Sequence, residues 1–215
     1  MMDASWVRGA SLVAFSYFLG SVPFGILVAR LIDRSVDLRT VGSGNIGATN
    51  VARAVGKSAG ILTLLLDAGK GIFALTLVPL FVEGRLATWF ALVGGAVLIG
   101  HVFPVYMGFR GGKGVATALG IVLFLSPVTA FILVVLFSLV VCFTRYVSLA
   151  SLCAAAALPP VMALLATSRH YVTLSLGMTF LVFYTHRDNI ARLIAGRERK
   201  FGAPEREVSP DDSPP

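Results

Sequence analysis

The chain has 215 residues, 56% of them hydrophobic and 13% charged, with a formal net charge of +7 and a mean hydropathy of +0.84. A soluble domain carries about 25% charged residues, so this composition excludes an ordinary water-soluble enzyme and indicates an integral membrane protein. The positive balance does not indicate nucleic acid, because apolar stretches separate the basic residues and no nucleic-acid motif accompanies them.

In chain order, apolar stretches lie near 10–32, 59–82, 86–106, 115–143, 147–167 and 170–185. A helix needs about 20 residues to cross the hydrocarbon core. Five stretches suit one crossing each, the last being slightly short. The first is long and lacks a following A-x-A cleavage site, so it is expected to stay as an anchor. The fourth is too long for one crossing and contains Ser126-Pro127. Proline removes a donor and breaks or kinks a helix, which predicts two short helices there. The expected fold is an all-α polytopic membrane protein with seven transmembrane helices, some of them short. Residues 1–200 form one membrane domain in this reading, and the Pro-rich, polar segment 201–215 is a disordered tail. Cys142 and Cys153 sit singly in apolar runs without CxxC spacing, as packing residues do.

Three polar, glycine-rich, basic segments interrupt the apolar pattern: GSGNIGATN at 42–50, GFRGGKGVAT at 108–117 and THRDNIARLIAGRERK at 185–200. An even number of crossings must separate segments that share one aqueous face, and seven helices satisfy that requirement. All of the 18 basic residues except Arg8, Lys70, Arg85 and Arg169 then fall on the motif side. Positive residues favour the cytoplasm, so the motifs are expected on the cytoplasmic face, with the N-terminus periplasmic and the C-terminus cytoplasmic.

Gly42, Gly44 and Gly47 satisfy GxGxxG, but no strand precedes them and no βαβ unit surrounds them. They read as a loop that lets a ligand approach, with Ser43, Asn45, Thr49 and Asn50 offering hydrogen bonds and Arg53 a cation. A plain helix-to-helix turn is the alternative. The run Gly108 to Gly114 is not a Walker A motif, since Met107 opens it and Gly114 follows Lys113. Its glycines, Lys113 and a helix starting at Val115 predict a phosphate nest. In the third segment His186 and Asn189 are three apart, hence on one face of a helix; an interfacial amphipathic anchor is the alternative. Glu198 reads as an ionic cap. Asp67 and Lys70, three apart within a span, are expected to pair, and His101 to be a hydrogen-bonded packing residue. The histidines are scattered and have no acidic cluster, which gives no metal signature.

Together, GSGNIGATNVAR (42–53), GHVFPVYMGFRGGKGVAT (100–117) and HRDNIARLIAGRE (186–198) resemble the three motifs of the PlsY family, the bacterial acyl-phosphate:glycerol-3-phosphate acyltransferases. The resemblance covers residues 10–200, in family order and spacing; Arg110 stands where many relatives carry lysine. None of His101, His170 or His186 has Asp five residues later, so the HxxxxD pattern of other glycerolipid acyltransferases is absent.

The resemblance implies transfer of a fatty acyl group from acyl phosphate, not acyl-CoA, to the 1-hydroxyl of sn-glycerol 3-phosphate. The products would be lysophosphatidic acid and inorganic phosphate, and the location the bacterial inner membrane. No cofactor or metal is expected; membrane lipid and a soluble acyl-phosphate-producing enzyme are the expected partners. Ser43, Arg53, His186 and Asn189 are the expected catalytic residues. Asn45, Thr49, Gly111, Gly112, Lys113, Gly114 and Ser151 are expected to bind substrate. The base stays open between His186 and a substrate phosphate, whose second pKa lies near 6. No base is paired in sequence with Ser43, which disfavours an acyl-enzyme. A small transporter of organic phosphates is the rival class.

Overall fold

In the computed structural model, residues 4–166 and 168–202 are described, and among them all regular structure is helical. The helices are α1 (Ala4–Gly20), α2 (Phe24–Ile32), α3 (Ala48–Val55), α4 (Lys57–Thr76), α5 (Val78–Phe81), α6 (Leu86–Val102), α7 (Val115–Leu125), α8 (Pro127–Thr144), α9 (Val147–Leu165), α10 (Arg169–Thr185) and α11 (Arg187–Ile194). Five continuous or near-continuous stretches, Ser5–Ile32, Lys57–Phe81, Leu86–Met107, Pro127–Thr144 and Val147–Leu165, are long and apolar enough to cross a membrane. Two apolar helices are shorter, α7 with 11 residues and α10 with 17.

The break expected at Ser126-Pro127 is present. Ser126 ends α7, Pro127 opens α8, and the Ser126 hydroxyl pairs with Thr129 at 2.7 Å. A second break, within 10–32, differs from the single stretch read in the sequence. Pro23 cannot donate a backbone hydrogen bond, and the chain leaves α1 at Ser21 before re-entering a helix at Phe24. The Val22 carbonyl there accepts a hydrogen bond from the Lys70 ammonium at 3.1 Å. Helix breaks within a membrane persist where other groups satisfy the exposed backbone, and Lys70 does so here.

Lys70 in turn lies 2.8 Å from Asp67, as expected, and His101 Nδ1 approaches the same carboxylate oxygen at 3.4 Å. All three residues are buried. A buried charge is tolerable only when paired and hydrogen-bonded, and this cluster ties α4, α6 and the α1–α2 break together.

Small residues bring the helices close. A Cβ on Gly20 would stand 2.1 Å from the Val97 carbonyl oxygen, and one on Gly100 2.2 Å from that of Tyr17, so α1 and α6 touch backbone to backbone. Gly120 of α7 meets the Ala68 carbonyl of α4 in the same way, at 2.0 Å. Membrane helices associate by such close packing rather than by a hydrophobic force between them. Leu75, Leu98, Ile121, Met162 and Met178 fill the interior, while Leu31, Phe143 and Leu164 are more than four-fifths exposed, as lipid-facing side chains are. Phe201 and Gly202, placed in the tail by the sequence, belong to an ordered turn; the rest of that tail lies outside the described residues.

Candidate active site

Asn50 shapes the first loop from inside. Its Oδ1 accepts the Ser43 N–H at 2.9 Å, and its Nδ2 donates to the carbonyls of Leu38 and Val41 at 3.0 and 3.1 Å. Gly42 must be glycine: its φ is +61°, and a Cβ would stand 2.2 Å from Asn50 Oδ1. The loop therefore leaves Ser43 exposed and Asn45 and Thr49 half-buried, ahead of an exposed Arg53 in the last turn of α3.

The second loop departs from the sequence reading. The Gly111 and Gly112 amides do not face an open cradle; they donate to the carbonyls of Val102 and His101 at 3.0 and 3.1 Å. These glycines seat the loop on the end of α6, where a Cβ at 111 would lie 2.1 Å from the His101 carbonyl oxygen. A Cβ at 112 would lie 2.3 Å from His101 Nε2. Binding phosphate through these two N–H groups is accordingly corrected to a supporting role, because an amide already donated to a carbonyl is no longer an anion site. His101 carries the load of the loop on one side and contacts Asp67 on the other. Gly114, at φ +81°, turns the chain into α7 and leaves Lys113 projecting.

Lys113 meets the third segment directly. Its Nζ donates to Asn189 Oδ1, and Asn189 Nδ2 donates to Glu198 Oε1 at 2.6 Å. The same carboxylate accepts from the Ser148 hydroxyl at 2.7 Å and from Arg192 Nε at 2.8 Å. Burial opposes ionisation of Glu198, but the hydrogen bonds from Ser148, Arg192 and Asn189 outweigh it and hold the carboxyl below its ordinary pKa. Glu198 is thus the hub that the sequence marked only as an ionic cap. Ser148 was missed altogether, since nothing marks one serine among several in an apolar helix.

The electrostatics are positive and partly dry. Burial lowers the Lys113 ammonium from 10.5 to about 8; the Glu198 carboxylate opposes this, while the Arg192 and Arg53 cations reinforce it. His186, at the junction of α10 and α11, is 2% exposed, with Nδ1 2.8 Å from the Val182 carbonyl. A carbonyl only accepts, so Nδ1 carries the proton and Nε2 is the free lone pair. Burial and the Lys113 cation push this imidazole down to about 4, leaving it neutral near pH 7. Among the described residues no group of three His, Cys, Asp or Glu side chains could hold a metal ion.

Beside this polar cluster opens an apolar cavity of about 590 Å³, lined by Thr49, Lys57, Ser151, Leu158 and Met178 among others. Ser151 lies on its wall, with its hydroxyl donated to the Val147 carbonyl at 2.9 Å. The second and third motifs thus meet through Lys113 and Asn189. The Arg53 cation of the first motif acts on the Lys113 ammonium, and Thr49 and Ala52 of that motif line the apolar cavity.

The chain is similar to known proteins over most of its length. The glycerol-3-phosphate acyltransferase family matches residues 10–196. A glycerol-3-phosphate acyltransferase of Geobacter sulfurreducens is 46% identical over 195 residues, covering 89% of this chain and 97% of its own. One of Aquifex aeolicus is 43% identical over 197 residues, covering 91% and 100%. The crystal structure of PlsY (YgiH), an integral membrane glycerol 3-phosphate acyltransferase, superposes in its glycerol 3-phosphate form with a TM-score of 0.84 at 42% identity, covering 90% of this chain and 96% of that one. Its lysophosphatidic acid form gives 0.82 at 40% identity, covering 90% and 95%. With residues 10–196 matched by the family model, and 89% of its length covered by a relative 46% identical, the chain belongs to the glycerol-3-phosphate acyltransferase family.

Proposed function

We propose that the protein transfers a fatty acyl group from acyl phosphate to the 1-hydroxyl of sn-glycerol 3-phosphate, giving lysophosphatidic acid and inorganic phosphate. The observation that carries this reading is the presence of a cationic hydrogen-bonded cluster around Lys113 together with an apolar cavity lined by Thr49, Lys57 and Ser151. A ligand with a charged head and a long tail suits that combination, and a second, small phosphorylated ligand suits the cations.

In this mechanism Lys113, Arg53 and Arg192 bind the phosphate groups. Ser43 and Arg53 stabilise negative charge as the glycerol hydroxyl adds to the acyl carbonyl. The carbonyl carbon gains a bond to the glycerol oxygen and loses its bond to the phosphate oxygen, which leaves with the electron pair. The hydroxyl proton passes to a phosphate oxygen. That acceptor, with a second pKa near 6, suits the reaction better than His186 at about 4, because a base works best with a pKa near the operating pH. His186 and Asn189 then orient groups, with Asn189 holding Lys113 in line. Thr49 and Ser151 guide the tail, and Asn45 and Gly114 shape the approach to Ser43 and Lys113.

The surplus of basic residues at this end supports a cytoplasmic active site in the bacterial inner membrane. A membrane enzyme of this kind requires a soluble reaction that activates fatty acyl groups as acyl phosphate. The test is purified protein given labelled glycerol 3-phosphate and either palmitoyl phosphate or palmitoyl-CoA. Labelled lysophosphatidic acid from the phosphate donor alone is expected, and product from the CoA thioester alone would overturn the donor assignment. With both substrates saturating, His186→Ala should lower turnover less than tenfold. A loss above about a thousandfold, in the range of an essential general base, would return the base to histidine.

A further inference from the structure

The groove wall includes a residue beyond the segment that the family model matches. The family match ends at residue 196, yet Phe201 lines the apolar cavity. The chain reaches this place by a defined path. Gly196, at φ +67°, turns it away from α11. Glu198 is then fastened to Ser148, the Lys200 ammonium sits 5.7 Å from the Tyr146 ring, and the Phe201 N–H donates to the Arg145 carbonyl at 2.7 Å. Three points of a short strap are therefore bound to the turn between α8 and α9 and to the first turn of α9.

That attachment fixes where along the groove Phe201 lies. Val141 and Val147, which flank the Arg145 turn, line the same cavity, whereas Leu158 lies deeper along α9. At 1.5 Å per helical residue, Val147 and Leu158 are about 16 Å apart. Phe201 is thus at the Val147 end of the cavity, three residues along the chain from Glu198, and not at the Leu158 end. The residue is 49% exposed, an unusual position for a phenylalanine on a turn otherwise made of charged residues and glycine.

We propose that Phe201 is a substrate-binding residue that packs on the first carbons of the acyl tail, beside the reacting carbonyl. This rests on the proposed acyl-donor function and adds a residue to it. A ring placed there contributes apolar contact to every long-chain donor, whatever its length, because the carbons it covers are common to all. It also covers the carbonyl against water, whose attack at the same carbon would break the same carbon–oxygen bond and yield fatty acid and inorganic phosphate.

The experiment compares wild type with Phe201→Ala and Phe201→Leu, assayed with decanoyl and palmitoyl phosphate. In Phe201→Ala the KM for either donor should rise about tenfold, the KM for glycerol 3-phosphate should stay within twofold, and the share of donor hydrolysed to fatty acid should increase. Phe201→Leu should restore most of the donor KM. An unchanged donor KM in Phe201→Ala would overturn the proposal. So would an equal rise for both substrates that Phe201→Leu does not repair, since that pattern marks a strap needed only for structure. If wild type acylates from palmitoyl-CoA but not from palmitoyl phosphate, the donor assignment fails on its own. The same KM comparison made with the thioester still decides the contact, because the contact is with the tail.

Discussion

At the head of the site, Lys113, Asn189, Glu198, Ser148 and Arg192 are linked by hydrogen bonds, four around one carboxylate and amide. In the groove, Ala154, Leu158 and Met178 offer a ligand only contact area. Hydrogen bonds are directional and costly to leave unmade, whereas dispersion contacts are numerous, small and without direction. The head is therefore a set of angles and the groove a volume. Deleting one link at the head should remove the function, while the groove should tolerate exchanges that conserve size.

Breaking the head gives the largest expected effect. Lys113→Ala removes the cation at the centre of the network, and kcat/KM for glycerol 3-phosphate should fall about 10²–10³-fold, as when a preorganised charge-stabilising donor is lost. Lys113→Gln, which keeps a donor for Asn189 but no charge, should be similarly impaired in the same steady-state assay. Next comes the seat of the second loop. Gly112→Ala places a methyl within 2.3 Å of His101 Nε2, so Lys113 is displaced and activity should fall about 10²-fold, the order expected of a 1 Å misplacement. His101→Ala on that background makes room and should recover part of the loss, which kinetics of the single and double variants would show.

The groove responds more mildly. Ala154→Phe should raise the KM for palmitoyl phosphate about tenfold and leave that for glycerol 3-phosphate unchanged. Met178→Leu, a swap of similar volume, should change neither by more than about twofold. A further effect sharpens the comparison through pH. Lys113 sits at about 8 instead of 10.5, so it is cationic below that value and loses its charge as pH rises through it. In the ligand-free enzyme kcat/KM should fall about fourfold between pH 7 and 8.5, following the protonated fraction. Lys113→Arg, which stays charged throughout, should flatten that limb. The acid limb should follow the substrate phosphate near pH 6 and not His186 at about 4.

Much of this was readable before any coordinates. Hydrophobic runs located the long helices, and Ser126-Pro127 announced its own break. The break at Pro23 was hidden because a single proline in an apolar run allows either a kink or a new helix. What decides it is Lys70, reaching the Val22 carbonyl from 48 residues away. Asp67 and Lys70 were expected to pair from their spacing alone; His101 joins them only through the fold.

The motifs disclosed which residues gather, but not what each atom does there. Consecutive glycines with a lysine suggested an amide cradle for phosphate. The amides of Gly111 and Gly112 instead pair with the end of α6, a partner that no local pattern reveals. Likewise Ser148 is bound to a glutamate 50 residues away, and Phe201 follows the last shared motif in a stretch whose composition reads as tail. Local chemistry is legible in sequence, whereas long-range partners have to be seen.

The central claim is that the cationic cluster and the apolar cavity together form one site of chemistry, not a path through the membrane. Proteoliposomes of the purified protein, supplied outside with labelled glycerol 3-phosphate, test it directly. With palmitoyl phosphate present, labelled lysophosphatidic acid should form with one inorganic phosphate released for each molecule, and without it no label should enter. Entry of labelled glycerol 3-phosphate without donor, together with no lysophosphatidic acid in its presence, would contradict the account.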